Sequence, residues 1–152
     1  MSEIYARVAA VFDTGIDEIA HAELYVPLES NRRARLMSMT ISGSTRVSVL
    51  GRGGDILSGA SFSESRGLPM RDGSVIPYSQ SHARTKKTLE VTAGGQIAYI
   101  EGGMWAMYDL KGPLTIKGDE LPVLLGKRNG LLVRNVHKGQ PLIVTFVWEE
   151  VP

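Results

Sequence analysis

Residues 130–152, GLLVRNVHKGQPLIVTFVWEEVP, decide how the rest of this chain is read. They divide into two strands around a turn at His137-Lys138-Gly139, and the second strand, residues 142–148, is apolar on both faces. Side chains alternate across a strand, so Leu142, Val144, Phe146 and Trp148 point one way and Ile143, Thr145 and Val147 the other. Such a strand must be covered twice. In a small antiparallel protein one cover is the facing sheet of a sandwich, and the other is a neighbouring subunit or a folded-over loop. Leu142, Val144, Phe146 and Trp148, with Glu149 beside them, are therefore candidates for a contact between subunits.

The same alternation recurs upstream. Met37, Met39 and Ile41 alternate with Ser38, Thr40 and Ser42, and Val47 and Val49 with Arg46 and Ser48. Residues 4–12 fit a strand or a helix, and the Asp13-Thr14-Gly15 turn that follows favours a strand running to a second one over 16–25. Short apolar runs at 87–92, 96–101, 105–110, 114–116 and 121–125 are separated by Gly, Pro and Asp. Many short strands with frequent turn residues, and no long amphipathic helix, predict an all-β fold: an antiparallel, jelly-roll-like β-sandwich over residues 1–152. Residues 51–84 are rich in Gly and Ser and poor in large apolar side chains, and read as a long loop excursion with one short strand at 74–78.

Composition narrows the function. With 152 residues, 43% hydrophobic and 22% charged, the chain can bury a core as one domain. A formal net charge of +1 and dispersed basic residues provide no field for specific nucleic-acid binding or for a membrane surface. The absence of cysteine removes disulfides, thiolate catalysis and cysteine-ligated zinc. Residues 1–12 lack the basic start and unbroken apolar centre of a signal peptide, and no run approaches membrane-spanning length, so a soluble protein made in the cytoplasm is expected.

Val11-Phe12-Asp13-Thr14-Gly15 resembles the Asp-Thr-Gly signature of retroviral-type aspartic proteases, in which two subunits each supply one aspartate. Leu50-Gly51-Arg52 resembles that family's second element. The spacing argues against the family, because few residues precede Asp13 and Gly51 follows too soon; a plain turn is the better account of Asp-Thr-Gly. His21, His82 and His137 lie far apart and lack the clustered pattern of a cupin-like metal site, so no metal and no cofactor is expected. Gly51-Arg52-Gly53-Gly54 and residues 126–130 complete neither a P-loop nor a dinucleotide fingerprint. No catalytic residue emerges.

Short basic groups stand at Arg32, Arg33 and Arg35 and at Arg84 to Lys87, while Glu149-Glu150 is acidic. Arg32, Arg33 and Arg35 could pair with Glu149 across a subunit boundary. Trp105, Tyr108 and Trp148 could stack on a sugar if they shared a surface, which would suit a receptor- or carbohydrate-binding domain at a virion tip; burial in the core is the plainer account.

The layout is similar to the small jelly-roll structural proteins of tailed bacteriophages that decorate or cement capsid shells. The resemblance lies in an opening strand pair, the basic start Arg32-Arg33-Ala34-Arg35-Leu36, the Gly/Ser-rich excursion, and an ending in which an apolar run closes on Arg134-Asn135 and the last strand on Trp148-Glu149-Glu150. It implies a non-enzymatic virion component, homo-oligomeric and most often trimeric, bound to the major capsid protein or another virion lattice. Residues 51–84 and the N-terminal segment would then make the lattice contacts.

Overall fold

The computed structural model describes residues 3–53, 63–70, 77–89 and 104–152. Among these residues there are twelve strands and no helix: β1 Glu3–Val11, β2 Glu18–Tyr25, β3 Arg33–Ser42, β4 Arg46–Gly53, β5 Ser63–Arg66, β6 Leu68–Pro69, β7 His82–Leu89, β8 Met104–Asp109, β9 Leu114–Lys117, β10 Leu124–Leu125, β11 Asn129–Asn135 and β12 Leu142–Val151. They build two antiparallel sheets that pack face to face. The first runs β10-β3-β12-β1-β6, with β9 sharing the β3 edge, and the second runs β5-β7-β2-β11-β4-β8.

With β5, β6, β7 and β10 set aside, β9-β3-β12-β1 faces β2-β11-β4-β8, the strand order of a jelly roll. β11 and β12 are joined by a tight turn yet do not pair. β11 lies between β2 and β4, and β12 between β1 and β3, so the turn at Gly139 (φ 75°) carries the chain from one sheet to the other.

The core sits between the sheets. Leu142, Val144, Phe146 and Trp148 all point into it and are fully buried, alongside Val47, Val49, Leu131, Val133, Met39 and Ile41. This corrects the expected subunit contact: the four side chains already face the second sheet, and a second copy of the chain cannot reach them. The opposite face of β12, with Ile143, Thr145, Val147 and Glu149, is only half-buried. β2 and β11 are buried on both faces, as is β4 from Val47 to Gly51. The outer faces of β2 and β11 carry His21, Glu23 and Arg134, which disguise a covered strand as a half-solvated one.

Two bulges adjust the sheets. Between Val147 and Trp148 the β3 partner steps from Ser38 to Leu36, leaving Met37 as the extra residue. The bulge reverses the alternation, so Leu36 fills the core and Met37 faces outward, where a plain reading of Met37, Met39 and Ile41 had placed one buried face. In β8 the equivalent step leaves Trp105 extra, and its indole lies over Gly51, where a Cβ would collide with the ring.

Much of the expected 51–84 excursion is structural. Residues 63–70 run as an extended segment whose first half pairs with β7 in the second sheet and whose second half pairs with β1 in the first, crossing at Gly67. The expected strand at 74–78 lies largely outside the described residues, as does the run at 96–101. Ser79 pins the crossing: its Oγ accepts from the Gly67 amide at 2.6 Å and donates to the Ser81 carbonyl at 2.6 Å. The Glu150 carboxylate, itself buried, accepts the Gln80 and Ser81 amides at 2.9 and 2.8 Å. The N-terminal strand β1 is likewise no free arm, being held between β12 and β6.

Candidate functional site

Asp13 lies in the turn between β1 and β2, with its side chain 86% exposed and its carboxylate 3.3 Å from Lys87 Nζ. The hydrogen bond from Lys87, helped by the backbone at Asp13 and the lysine charge, holds its carboxyl below the usual aspartate value. A shared-proton dyad needs the reverse, two carboxylates crowded together so that one is pushed up. The Asp-Thr-Gly segment is a turn held ionised from the side.

The aromatic residues do not converge. Trp148 is buried and stacked against Tyr5, with centroids 6.2 Å apart and planes at 28°, Tyr108 is partly buried against the core, and Trp105 is exposed. Of the histidines, His137 is exposed in the β11–β12 turn, His21 is buried on the outer face of β2, and His82 opens β7 rather than sitting in a loop. No group of three His, Asp or Glu side chains among the described residues is placed to hold a metal.

Arg33 and Arg35 of the basic cluster at the start of β3 find partners within the chain. Arg35 Nη1 donates to Glu149 Oε1 at 3.2 Å across the β3–β12 pair, and Arg33 donates from Nε and Nη2 to the Pro152 carbonyl at 2.9 and 2.7 Å. Arg32 is half-buried, with its backbone tied to Ser30. The pairing of Arg35 with Glu149 expected between subunits is thus a cross-strand pair, because antiparallel register sets the two opposite each other.

The outer face of the second sheet carries an ionic row that sequence reading missed. Arg84 on β7 and Glu23 on β2 stand opposite each other and form a fully buried pair, Nε to Oε1 at 2.6 Å, and the guanidinium also lies 3.6 Å over the Tyr25 ring. One register step away His21 meets Lys86 and Arg134, and His21 Nε2 lies 2.8 Å from Thr88 Oγ1. The Glu23 carboxylate occupies the space a side chain at position 130 would need, which makes Gly130 part of the arrangement. A groove of about 490 Å³ opens at the Arg84 end, beside His82, Glu29 and Arg128. The sequence signal was period-two polarity in 19–25 and 82–88, but nothing local says that those polar side chains are buried.

The outer face of the first sheet has the opposite character. Antiparallel register sets Val8, Thr145, Thr40 and Thr115 in one row, and Ala6, Val147, Ser38 and Lys117 in the next, with Leu68 beyond Ala6. Ala10, Ile143 and Ser42 form a third row. Thr40 and Thr115 hydroxyls meet at 2.9 Å. Charge enters only along the margin, at Lys117 and the Arg35–Glu149 pair. The face is built of small side chains and graded from apolar on β6 and β1 to hydroxyl-bearing on β3 and β9.

No family model, no curated protein and no solved structure matches this chain.

Proposed function

We propose that this protein is a non-enzymatic structural component of a virion, one that self-associates and binds a capsid lattice so as to stabilise it, in the manner of a decoration or cement protein. The observation that carries this reading is the uncharged outer face of the first sheet. A solvated sheet exterior normally alternates buried apolar residues with exposed polar and charged ones. Here three successive rows across β1, β12 and β3 offer Ala, Val, Ile, Ser and Thr, and no charge before the margin. Small side chains allow another protein surface to approach the sheet closely, and burying them desolvates no ion. The major capsid protein is the partner assigned to this face, and a closed ring of three copies is the assembly that the resemblance to phage decoration proteins favours.

Particle binding tests the proposal. The protein should sediment with intact shells in stoichiometric amounts and raise the temperature at which they break open. A protein that is monomeric at all concentrations and binds no shell or polymer of subunits would overturn it.

A further inference from the structure

We infer that copies of this chain join head to tail, the β1–β2 turn of one seating in a groove on the β3 edge of the next. This rests on the self-association just proposed and names the surfaces that carry it.

Phe12 and Ile16 are 73% and 83% exposed, more than any other large apolar side chain among the described residues. They project from a turn that is held in place at several points. The Gly15 amide donates to Glu18 Oε1 at 2.6 Å, the Gly139 amide to the Glu18 carbonyl at 2.8 Å, Lys87 Nζ to the Asp13 carbonyl at 3.1 Å, and Lys138 pairs with Asp17 at 3.4 Å. Two apolar side chains on a loop so restrained lose little freedom when they bind, which is the character of an anchor. An exposed apolar pair of this kind marks a contact surface.

A matching recess lies on the same molecule. The partner along the β3 edge changes from β9, opposite Ser38 to Ile41, to β10, opposite Ala34 and Arg35, and a groove of about 480 Å³ opens where neither covers it. Met37, pushed outward by its bulge, lines this groove with Pro122 and Leu124, leaving an apolar floor with room for a phenyl ring and a branched side chain. Arg35, Lys117 and Asp119 also line it. The groove lining sets Arg35 and Lys117 against Asp119, whereas the turn carries Asp13, Asp17 and Glu18 against Lys87 and Lys138. The groove lining and the turn therefore carry opposite excess charge, which makes docking complementary.

The positions suit a head-to-tail arrangement. Val11 pairs with Leu142 at the start of β12, so the turn lies at that end of the sandwich; Arg35 and Leu36 pair with Glu149 and Trp148 near the other. A contact between two different patches closes into a ring if the rotation allows and extends into a filament if it does not.

Sedimentation velocity on the full chain provides the test. The tip variant Phe12→Ser/Ile16→Ser and the groove variant Leu124→Glu alter exposed side chains, and their melting temperatures should match the wild type. Each should raise the dissociation constant at least about tenfold, as expected for loss of an apolar anchor. Mixed in equal amounts, the two variants should form a heterodimer and stop there, because one intact tip and one intact groove remain. Association of the tip variant as tight as the wild type, or no heterodimer on mixing, would overturn this inference and leave self-association standing. A wild-type chain that is monomeric throughout would instead overturn the reading on which it rests.

Discussion

Gly67 shows how a single position can depend on a residue remote in sequence. A Cβ there would run into the Trp148 ring and the Tyr5 Cβ, and since its backbone conformation is ordinary the constraint is one of space. We expect Gly67→Ala to destabilise by about 1–3 kcal/mol through overpacking, and Trp148→Phe in the same chain to recover part of that loss, so that a double-mutant cycle in urea gives a favourable coupling. Additive effects would show that the indole does not press on Gly67. The buried Arg84–Glu23 pair makes a second residue-scale case. Arg84→Met alone should cost about 3–5 kcal/mol, because it leaves the Glu23 carboxylate buried beside an apolar group, and replacing both members should cost distinctly less. Equal losses in the single and double variants would count against that account. Neither feature was legible locally: Gly67 reads as a loop glycine in a Gly/Ser-rich zone, and Arg84 as part of a solvated basic cluster.

Elements were read well where alternation is regular and poorly where a neighbour changes it. β1, β2, β4, β8 and β9 lie where period two and turn residues place them, and Val47 and Val49 are buried as expected. β3 starts earlier than its apolar alternation does, and its bulge at Met37 exchanges the inward residue, which depends on how β12 lies beside it. β7, His82–Leu89, begins before the apolar run expected at 87–92, because pairing with β2 continues through polar residues, and residues 90–92 of that run lie outside the described residues. The β4–β8 pair is tied by Arg46 and Asp109 at 2.6 Å, and the hydrogen bond and charge of Arg46 hold the Asp109 carboxyl below its ordinary value. Its folded value is therefore lower than its unfolded one of about 3.9, so the stabilisation is present above that pH and is lost as pH falls through the lowered folded value. Asp109→Asn should flatten the stability–pH curve only in that acid range, and added salt should shrink the difference, since both side chains face water. A loss at pH 7 that salt leaves unchanged would point to packing instead.

At the scale of the molecule, the two sheets present unlike exteriors. The second is buried over an ionic row, while the first is uncharged up to its margin, and the proposed function depends on the first. Thr145→Lys places a charge at the centre of that face without touching the core, so we expect stability to stay within about 0.5 kcal/mol and shell binding to fall sharply. Parallel losses in melting temperature and binding would mean that the residue matters to the fold and leave the face without a partner. The face could be anticipated from Ile143, Thr145 and Val147, whose alternation with larger residues already showed an apolar second side to the last strand. Which of its two sides the sandwich would cover could not.

By itself the sequence determined the all-β class, most of the strands and the apolar character of the last one, because period-two patterning and turn chemistry are local properties of the backbone and its side chains. Tertiary structure alone decided that β11 and β12 lie in opposite sheets, that Leu142, Val144, Phe146 and Trp148 face inward, and that Arg35 meets Glu149 within one chain. It also decided that Glu23 and Arg84 are buried together. Each of these depends on register between strands distant in sequence, and register is set by how the whole set of apolar faces is covered at once.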